Sequence, residues 1–388
     1  MRTALIAVDD AAVSADEQAR PLRIVGRSIE QHQVDLAVSC GCERIIFFAR
    51  SSIADFAVLK THGRQAGVGL DLATTVMALT EQLSDEEEVL VFSPGVLFDA
   101  RQVEAIKNPG IATFKADAAV PLGFERIDAT RAWAGVLWSP ASLSHRLADL
   151  PHDIDPVAAW LRIALQSGIP TTPLDDALLE EGAWLIRPDL TAMKRREARW
   201  FAERSVRVAA WTPGLFLSEK LGLGLARRHT TTAMGQAPRS VALVLLAIAV
   251  AVAAAGWLSL AYVGIAIGFV LARLARTADR LLDDHQDANP ISIDLFVDLS
   301  LFLVLLRAAP GGLGWMAAFV PAVFVASLRL ASHRGSKRLR ALFDDRFAFA
   351  GVLAVAALFG LSFKVAAAVA LVLLAVAMLK SDEKGLAA

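Results

Sequence analysis

The sequence predicts a two-part chain: an N-terminal α/β domain of Rossmann-like type, then an all-α polytopic membrane domain of about six transmembrane helices. Three observations predict it. The 388 residues exceed one ordinary domain and allow two. The hydrophobic fraction of 55% and mean hydropathy of +0.49 are high, and the excess lies almost wholly beyond Arg239. Before that point, short apolar runs alternate with helical patterns, as in layered α/β domains.

In chain order, "TALIAV" (3–8), "RIIFFA" (44–49) and "EVLVFS" (88–93) suit buried parallel strands. Between them "SIEQHQVDLAVSCG" (28–41) follows a helical pattern, and "DPVAAWLRIALQSG" (155–168) is a later amphipathic helix. The start, "MRTALIAVDDAA", lacks the long apolar core of a signal peptide, so the first domain is expected in the cytoplasm. A net charge of −1 gives no reason to invoke nucleic acid. Cys40 and Cys42 are too few and too close for a disulfide framework, and read as reduced, inert thiols.

Residues 194–228 mix basic side chains with Trp200, Phe201, Val206, Val208, Trp211, Leu215 and Phe216, broken at "TPG" (212–214). This segment is either an amphipathic helix lying on a membrane surface or an ordinary interdomain helix.

Residues 240–272 hold no charge. One helix of that length would reach about 50 Å, well beyond a hydrocarbon core of about 30 Å. "AGWLS" therefore divides it into spans near 240–255 and 258–274, followed by apolar spans near 292–308, 313–329, 347–361 and 363–380. Loops on the domain's own side then carry Arg227, Arg228, Arg239, Arg273, Arg276, Arg280, Arg329, Arg334, Lys337, Arg338, Arg340, Arg346, Lys380 and Lys384. The opposite turns hold only Arg307 and Lys364. This asymmetry agrees with the positive-inside rule for a multi-pass protein of the cytoplasmic (inner) membrane.

Asp294 and Asp298, four residues apart, share one helix face just inside an apolar run. Ionisable groups there are functional candidates, and two aligned carboxylates suit Mg²⁺ or Mn²⁺ holding a diphosphate. A helix N-terminus welcoming solvated acids is the other reading. Of the seven histidines, only His285, beside Asp284 and Asp287, lies among acids. The basic run 329–340 is either topogenic charge or a contact for anionic lipid or substrate phosphate.

Six spans, a preceding amphipathic helix and acids between spans two and three resemble the CDP-alcohol phosphotransferases. Their motif is D-x2-D-G-x2-A-R-x8-G-x3-D-x3-D. "PISIDLFVD" (290–298) matches its second half, with Pro290 at the glycine. The resemblance implies metal and diphosphate binding at Asp294 and a base at Asp298 that activates the acceptor hydroxyl. Counting back, Arg273 and Arg276 stand at the two metal-binding aspartates, Thr277 at the glycine, and Arg280 and Leu281 at the Ala-Arg pair. Asp283, Asp284 and Asp287 do not restore the spacing. Guanidinium groups repel a divalent cation but can pair directly with phosphate, making Arg273, Arg276 and Arg280 expected phosphate ligands.

The N-terminal 190 residues resemble the MobA-like, sugar-nucleotide nucleotidyltransferases. The likeness runs through 19–49, "VLVFSPGVLFD" (89–99), "IDATRAWAGVLWSP" (127–140) and "GAWLIRP" (182–188). Their glycine-rich phosphate loop is replaced by "DDAAV" (9–13), their KPL lysine by Arg20, and their metal-binding aspartate by Gly95, with Asp99 nearby. Arg20 is the remaining nucleotide-binding candidate.

The resulting expectation is a nucleotidyltransferase-like domain at 1–190, a linker with a juxtamembrane helix at 191–238, and a phosphotransferase-like membrane domain at 239–388. By resemblance, such a protein serves phospholipid or related headgroup synthesis. It either transfers a phosphoryl-alcohol group from a CDP-linked donor, releasing CMP, or is an inactive partner of an active homologue. Its expected partners are the lipid bilayer, a CDP-linked or phosphorylated alcohol, and a second copy or that homologue.

Overall fold

A computed structural model describes residues 1–8, 23–50, 56–106, 108–151, 154–206, 208–228, 236–282, 291–334 and 337–385. The chain divides into two compact units, Met1–Trp200 and Phe201–Ala388.

The first unit is built on a seven-stranded sheet in the order β3-β2-β1-β4-β7-β6-β8. Its strands are β1 (Arg2–Ala7), β2 (Arg44–Phe48), β3 (Gly69–Ala73), β4 (Glu88–Phe92), β6 (Gly110–Lys115), β7 (Arg131–Pro140) and β8 (Thr171–Pro173). A separate pair joins β5 (Val96–Leu97) to β9 (Leu185–Ile186), antiparallel. β1 runs parallel to β2 and β4, Leu5 lying opposite Ile46 and Val91, so the three predicted strands form one parallel core. β7 is antiparallel to both β4 and β6.

Strand side chains alternate between faces. Ala4, Ile6, Ile45, Phe47, Leu90 and Phe92 pack with Val34 of α1 (Ile29–Ser39) and Leu59 of α2 (Phe56–Gln65). Leu5, Ile46, Phe48, Val89 and Val91 pack on the other face with Val76 and Leu79 of α3 (Val76–Glu81) and with Trp160 of α5 (Pro156–Gln166). α4 is the short helix Ala100–Glu104. With both faces covered, the strands read as continuous apolar runs. α1 begins at a capping box, Ser28 with Gln31, and α5 at Asp155 followed by Pro156, so both predicted helices start on recognisable caps. α6 (Leu190–Arg204) contains the boundary between the two units, at Trp200.

The second unit is helical: α7 (Pro213–Arg228), α8 (Gln236–Ala254), α9 (Leu258–Leu282), α10 (Ile291–Arg307), α11 (Phe319–Arg334), α12 (Lys337–Asp344), α13 (Arg346–Leu358) and α14 (Ser362–Gly385). α8 and α9 approach closely through small residues: a Cβ on Gly264 would lie 3.1 Å from that of Ala249, and one on Gly268 2.9 Å from Leu246 Cδ2. Such contacts suit helix pairs in lipid, where close packing replaces the hydrophobic drive. Val241, Val244 and Ile248 point outward from α8.

Among the described residues three helices are long and apolar enough to cross a membrane: Gln236–Ala254, Leu258–Leu282 and Gly314–Ser332. Two shorter apolar helices follow, Arg346–Leu358 and Ser362–Val376. The sequence-based count of six also relied on α10, which spans 17 residues and carries two aspartates. Three apolar candidate spans are what the described residues show; six are not shown.

Candidate functional site

In the first unit, strand order reverses between β1 and β4, and the crevice at their carboxyl ends is where open α/β sheets bind ligands. "SPG" (93–95) follows β4 there. Buried Gln33 on α1 holds this turn, donating to the Ser93 carbonyl at 3.0 Å and the Val96 carbonyl at 2.8 Å. Gly95 has a φ of 68°, a conformation glycine adopts without strain. Asp99 is N-cap of α4, accepting from the Gln102 amide at 3.3 Å. The other expected elements, Arg20 and the 9–13 loop, lie outside the described residues.

Nearby, α1 and α2 join through Asp35, which accepts from Arg27 Nη1 and pairs with His62 Nε2, each at 2.6 Å. Burial opposes the charge on Asp35, but His62 and Arg27 outweigh it and hold the carboxyl below its usual range. Burial pushes His32 down to about 4, with its Nε2 3.1 Å from the Ile24 carbonyl and its ring edge-on to Trp200. The same desolvation pushes Cys40 and Cys42 up to about 11 and 12, so neither is a thiolate at neutral pH.

In the second unit, Arg273, Arg276 and Arg280 recur at helical spacing along one face of α9. Arg276 Nη1 donates to Asp294 Oδ2 at 2.6 Å, and Arg273 Nη2 lies 3.5 Å from the same oxygen. Arg273 Nη2 also donates to Asp344 Oδ2 at 2.7 Å, and its guanidinium lies 5.2 Å from the Phe269 ring centroid. Asp298 is only 3% exposed. Its Oδ2 accepts from Arg329 Nε at 2.6 Å and its Oδ1 from Arg346 Nε at 3.1 Å. Arg346 Nη1 donates to the Phe343 carbonyl at 2.7 Å and lies 3.5 Å from Asp344 Oδ1, closing a continuous network across α9, α10, α11, α12 and α13.

Arg280 turns elsewhere. Its Nη2 reaches both oxygens of Glu219 on α7, at 2.8 and 2.7 Å. Thr277 Oγ1 and the Val206 amide also donate to that carboxylate. α7 can lie this close because Gly222 faces Thr277, where a Cβ would sit 2.6 Å from Cγ2. At the start of α7, the Gly214 amide donates to buried Asp345 at 2.9 Å.

Of the expected site residues, the structure brings Arg273, Arg276 and Asp294 together, places Asp298 in the same network through other arginines, and assigns Arg280 to Glu219. Asp283, Asp284, His285, Asp287 and Pro290 lie outside the described residues. Arg329 belongs to the basic run 329–340, expected as topogenic charge or a phosphate contact. Sequence reasoning missed Asp344 and Arg346 as site residues, whose one signal was "DDR" (344–346) at the head of an apolar run.

The donor set does not suit Mg²⁺ or Mn²⁺. Each carboxylate at the expected metal positions is already faced by two guanidinium groups, and no cluster of three or more His, Cys, Asp or Glu that could hold a metal occurs among the described residues. The arrangement can instead hold an anion through guanidinium groups.

No family model matches the chain, and no curated protein matches it. Among solved structures, it is similar to a protein described as a putative glucose-1-phosphate thymidylyltransferase from Bacillus anthracis, in complex with a sucrose. The identity is 11% and the TM-score 0.40, over 54% of this chain and 98% of that one. It is also similar to the inositol-1-phosphate CTP transferase from T. maritima, at 12% identity and a TM-score of 0.37, over 51% and 96%. Both neighbours cover the N-terminal half. At these scores they carry no argument about activity, and they do not bear on the second unit.

Proposed function

We propose that this protein serves phospholipid or related headgroup metabolism at a cytoplasmic membrane, as a non-catalytic partner of an active, metal-dependent homologue. On this reading the second unit keeps the six-span plan of a CDP-alcohol phosphotransferase, with the nucleotidyltransferase-like first unit in the cytoplasm. The observation that carries it is Asp298. At the position of the base, this buried carboxylate has both oxygens engaged by Arg346 and Arg329. Both of its oxygens are spent on ion pairs rather than left open to an acceptor hydroxyl. The positions for metal ligands are occupied by the arginines that brace Asp294.

A second reading, metal-free phosphoryl-alcohol transfer, is favoured by one feature. The side chains of Arg329 and Asp344 are 42% and 37% exposed, so one margin of the network meets solvent, where an incoming phosphate can compete for a guanidinium. The readings separate in nanodiscs offered CDP-diacylglycerol or CDP-polyols with Mg²⁺ or Mn²⁺. The partner reading expects no CMP release from the protein alone, and altered release by a co-reconstituted homologue bearing the full motif. CMP release that Asp298→Asn abolishes establishes transfer instead.

A further inference from the structure

The ion pairs of the helical unit fix which helix ends lie together. Arg273 near the end of α9, Asp294 and Asp298 near the start of α10, Arg329 near the end of α11 and Arg346 at the start of α13 share one network. The start of α9, the end of α10, the start of α11 and the end of α13 therefore lie at the opposite end of the unit. α8 and α14 reach that end through the turns at 255–257 and 359–361.

This second end is apolar and aromatic. Trp257, Trp315, Phe319 and Phe359 are between 65% and 81% exposed, and Met316 and Leu358 are exposed next to them in the chain. Residues 253–263, 303–320 and 352–366 hold only two charges, Arg307 and Lys364. The turns at 255–257, 309–313 and 359–361 are not helical. Lipid-exposed backbone of that kind does not lie in hydrocarbon, where nothing satisfies its polar groups. Large rings this exposed are equally out of place in bulk water. The headgroup–acyl boundary of a bilayer meets both demands, hydrating the backbone and covering the rings. The candidate spans Gln236–Ala254, Leu258–Leu282 and Gly314–Ser332 each begin or end here, so a bilayer around them has its boundary at these turns.

We infer that this end is a lipid anchor: Trp257, Trp315, Phe319 and Phe359 seat in the headgroup–acyl boundary of the leaflet remote from the arginine–aspartate network, and set the depth of that network. At the helical rise, Arg273 stands about 22 Å along α9 from Leu258, within a hydrocarbon core of about 30 Å. The inference rests on the membrane reading of the second unit, which flotation of the full chain with liposomes tests separately.

The experiment reconstitutes the full chain in phosphatidylcholine liposomes that carry a nitroxide either near the headgroup or near the acyl-chain terminus. The chain has eight tryptophans, so the fluorescence lost in Trp257→Phe/Trp315→Phe isolates these two. The headgroup-proximal label should quench that difference signal roughly twofold more strongly than the terminal label. Phe359→Trp adds a ring at the same end, and its added signal should follow the same order. A chain that floats with liposomes, but whose difference signal is quenched only by iodide present on both sides, overturns the inference and leaves the membrane reading intact. Equal or stronger quenching by the terminal label overturns it too. So does a signal that neither label nor iodide reaches, as a second copy or another protein covering this end would give. A chain that does not float defeats both readings.

Discussion

Asp298 and Arg346 meet at 3.1 Å inside the helical unit, and both are buried. Their sequence separation is 48 residues, so the contact fastens the start of α13 to α10. Breaking a buried pair from one side leaves a charge uncompensated, at a cost of about 3–5 kcal/mol. Arg346→Met should therefore lower thermal stability in detergent strongly. The double variant Arg346→Met/Asp298→Leu should recover much of the loss, as a thermal unfolding scan of the wild type, both single variants and the double variant will read. Equal loss in single and double variants would contradict a paired role.

Gly222 is the second lever, because α7 reaches α9 only where no Cβ stands against Thr277. Gly222→Ala overpacks this contact and should cost about 1–3 kcal/mol. Hydrogen exchange should rise along α7, since the Glu219–Arg280 pair depends on the same approach. A variant with unchanged exchange would show that α7 is held elsewhere.

In the first unit, Gln33→Leu removes the donor shared by the Ser93 and Val96 carbonyls. The expected loss is about 1–3 kcal/mol, with faster hydrogen exchange confined to the turn after β4. Exchange unchanged at 93–97 would mean that Gln33 does not order the turn after β4.

Acid should loosen the first unit in two stages. His32 has a folded pKa of about 4, below its unfolded value of 6.5, so the unfolded chain binds more protons between those values. Stability therefore falls as pH drops from about 6.5 to 4 and levels off below. Asp35, also depressed, adds stability above its ordinary value of 3.8 that is lost as pH falls further. Hydrogen exchange of α1 against pH should show both stages. His32→Gln should remove the upper one while leaving the lower.

The parallel core was legible because β1, β2 and β4 are buried on both faces, and periodicity registers such runs directly. β3, "GLDLA", was missed because it is an edge strand whose Asp71 is spent on pairing Arg44. β6, "GIATFK", was missed because glycine, alanine and threonine make a weak apolar signal even when buried. In the second unit, spacing alone placed Asp294 and Asp298 on one face, and the three arginines were singled out only by the motif resemblance. Which arginine meets which acid depends on helix packing: Arg329 lies 31 residues from Asp298, and Asp344 lies 71 from Arg273. That information is tertiary, and no local pattern contains it.

On the proposed reading, arginine–aspartate pairs stand where the CDP-alcohol phosphotransferases hold their metal, and Mn²⁺ titration followed by electron paramagnetic resonance is the sharpest check. The full chain in zwitterionic nanodiscs should show no saturable Mn²⁺ site beyond empty discs, with or without a CDP-linked donor. Stoichiometric Mn²⁺ binding that disappears in Asp294→Asn or Asp298→Asn would contradict it.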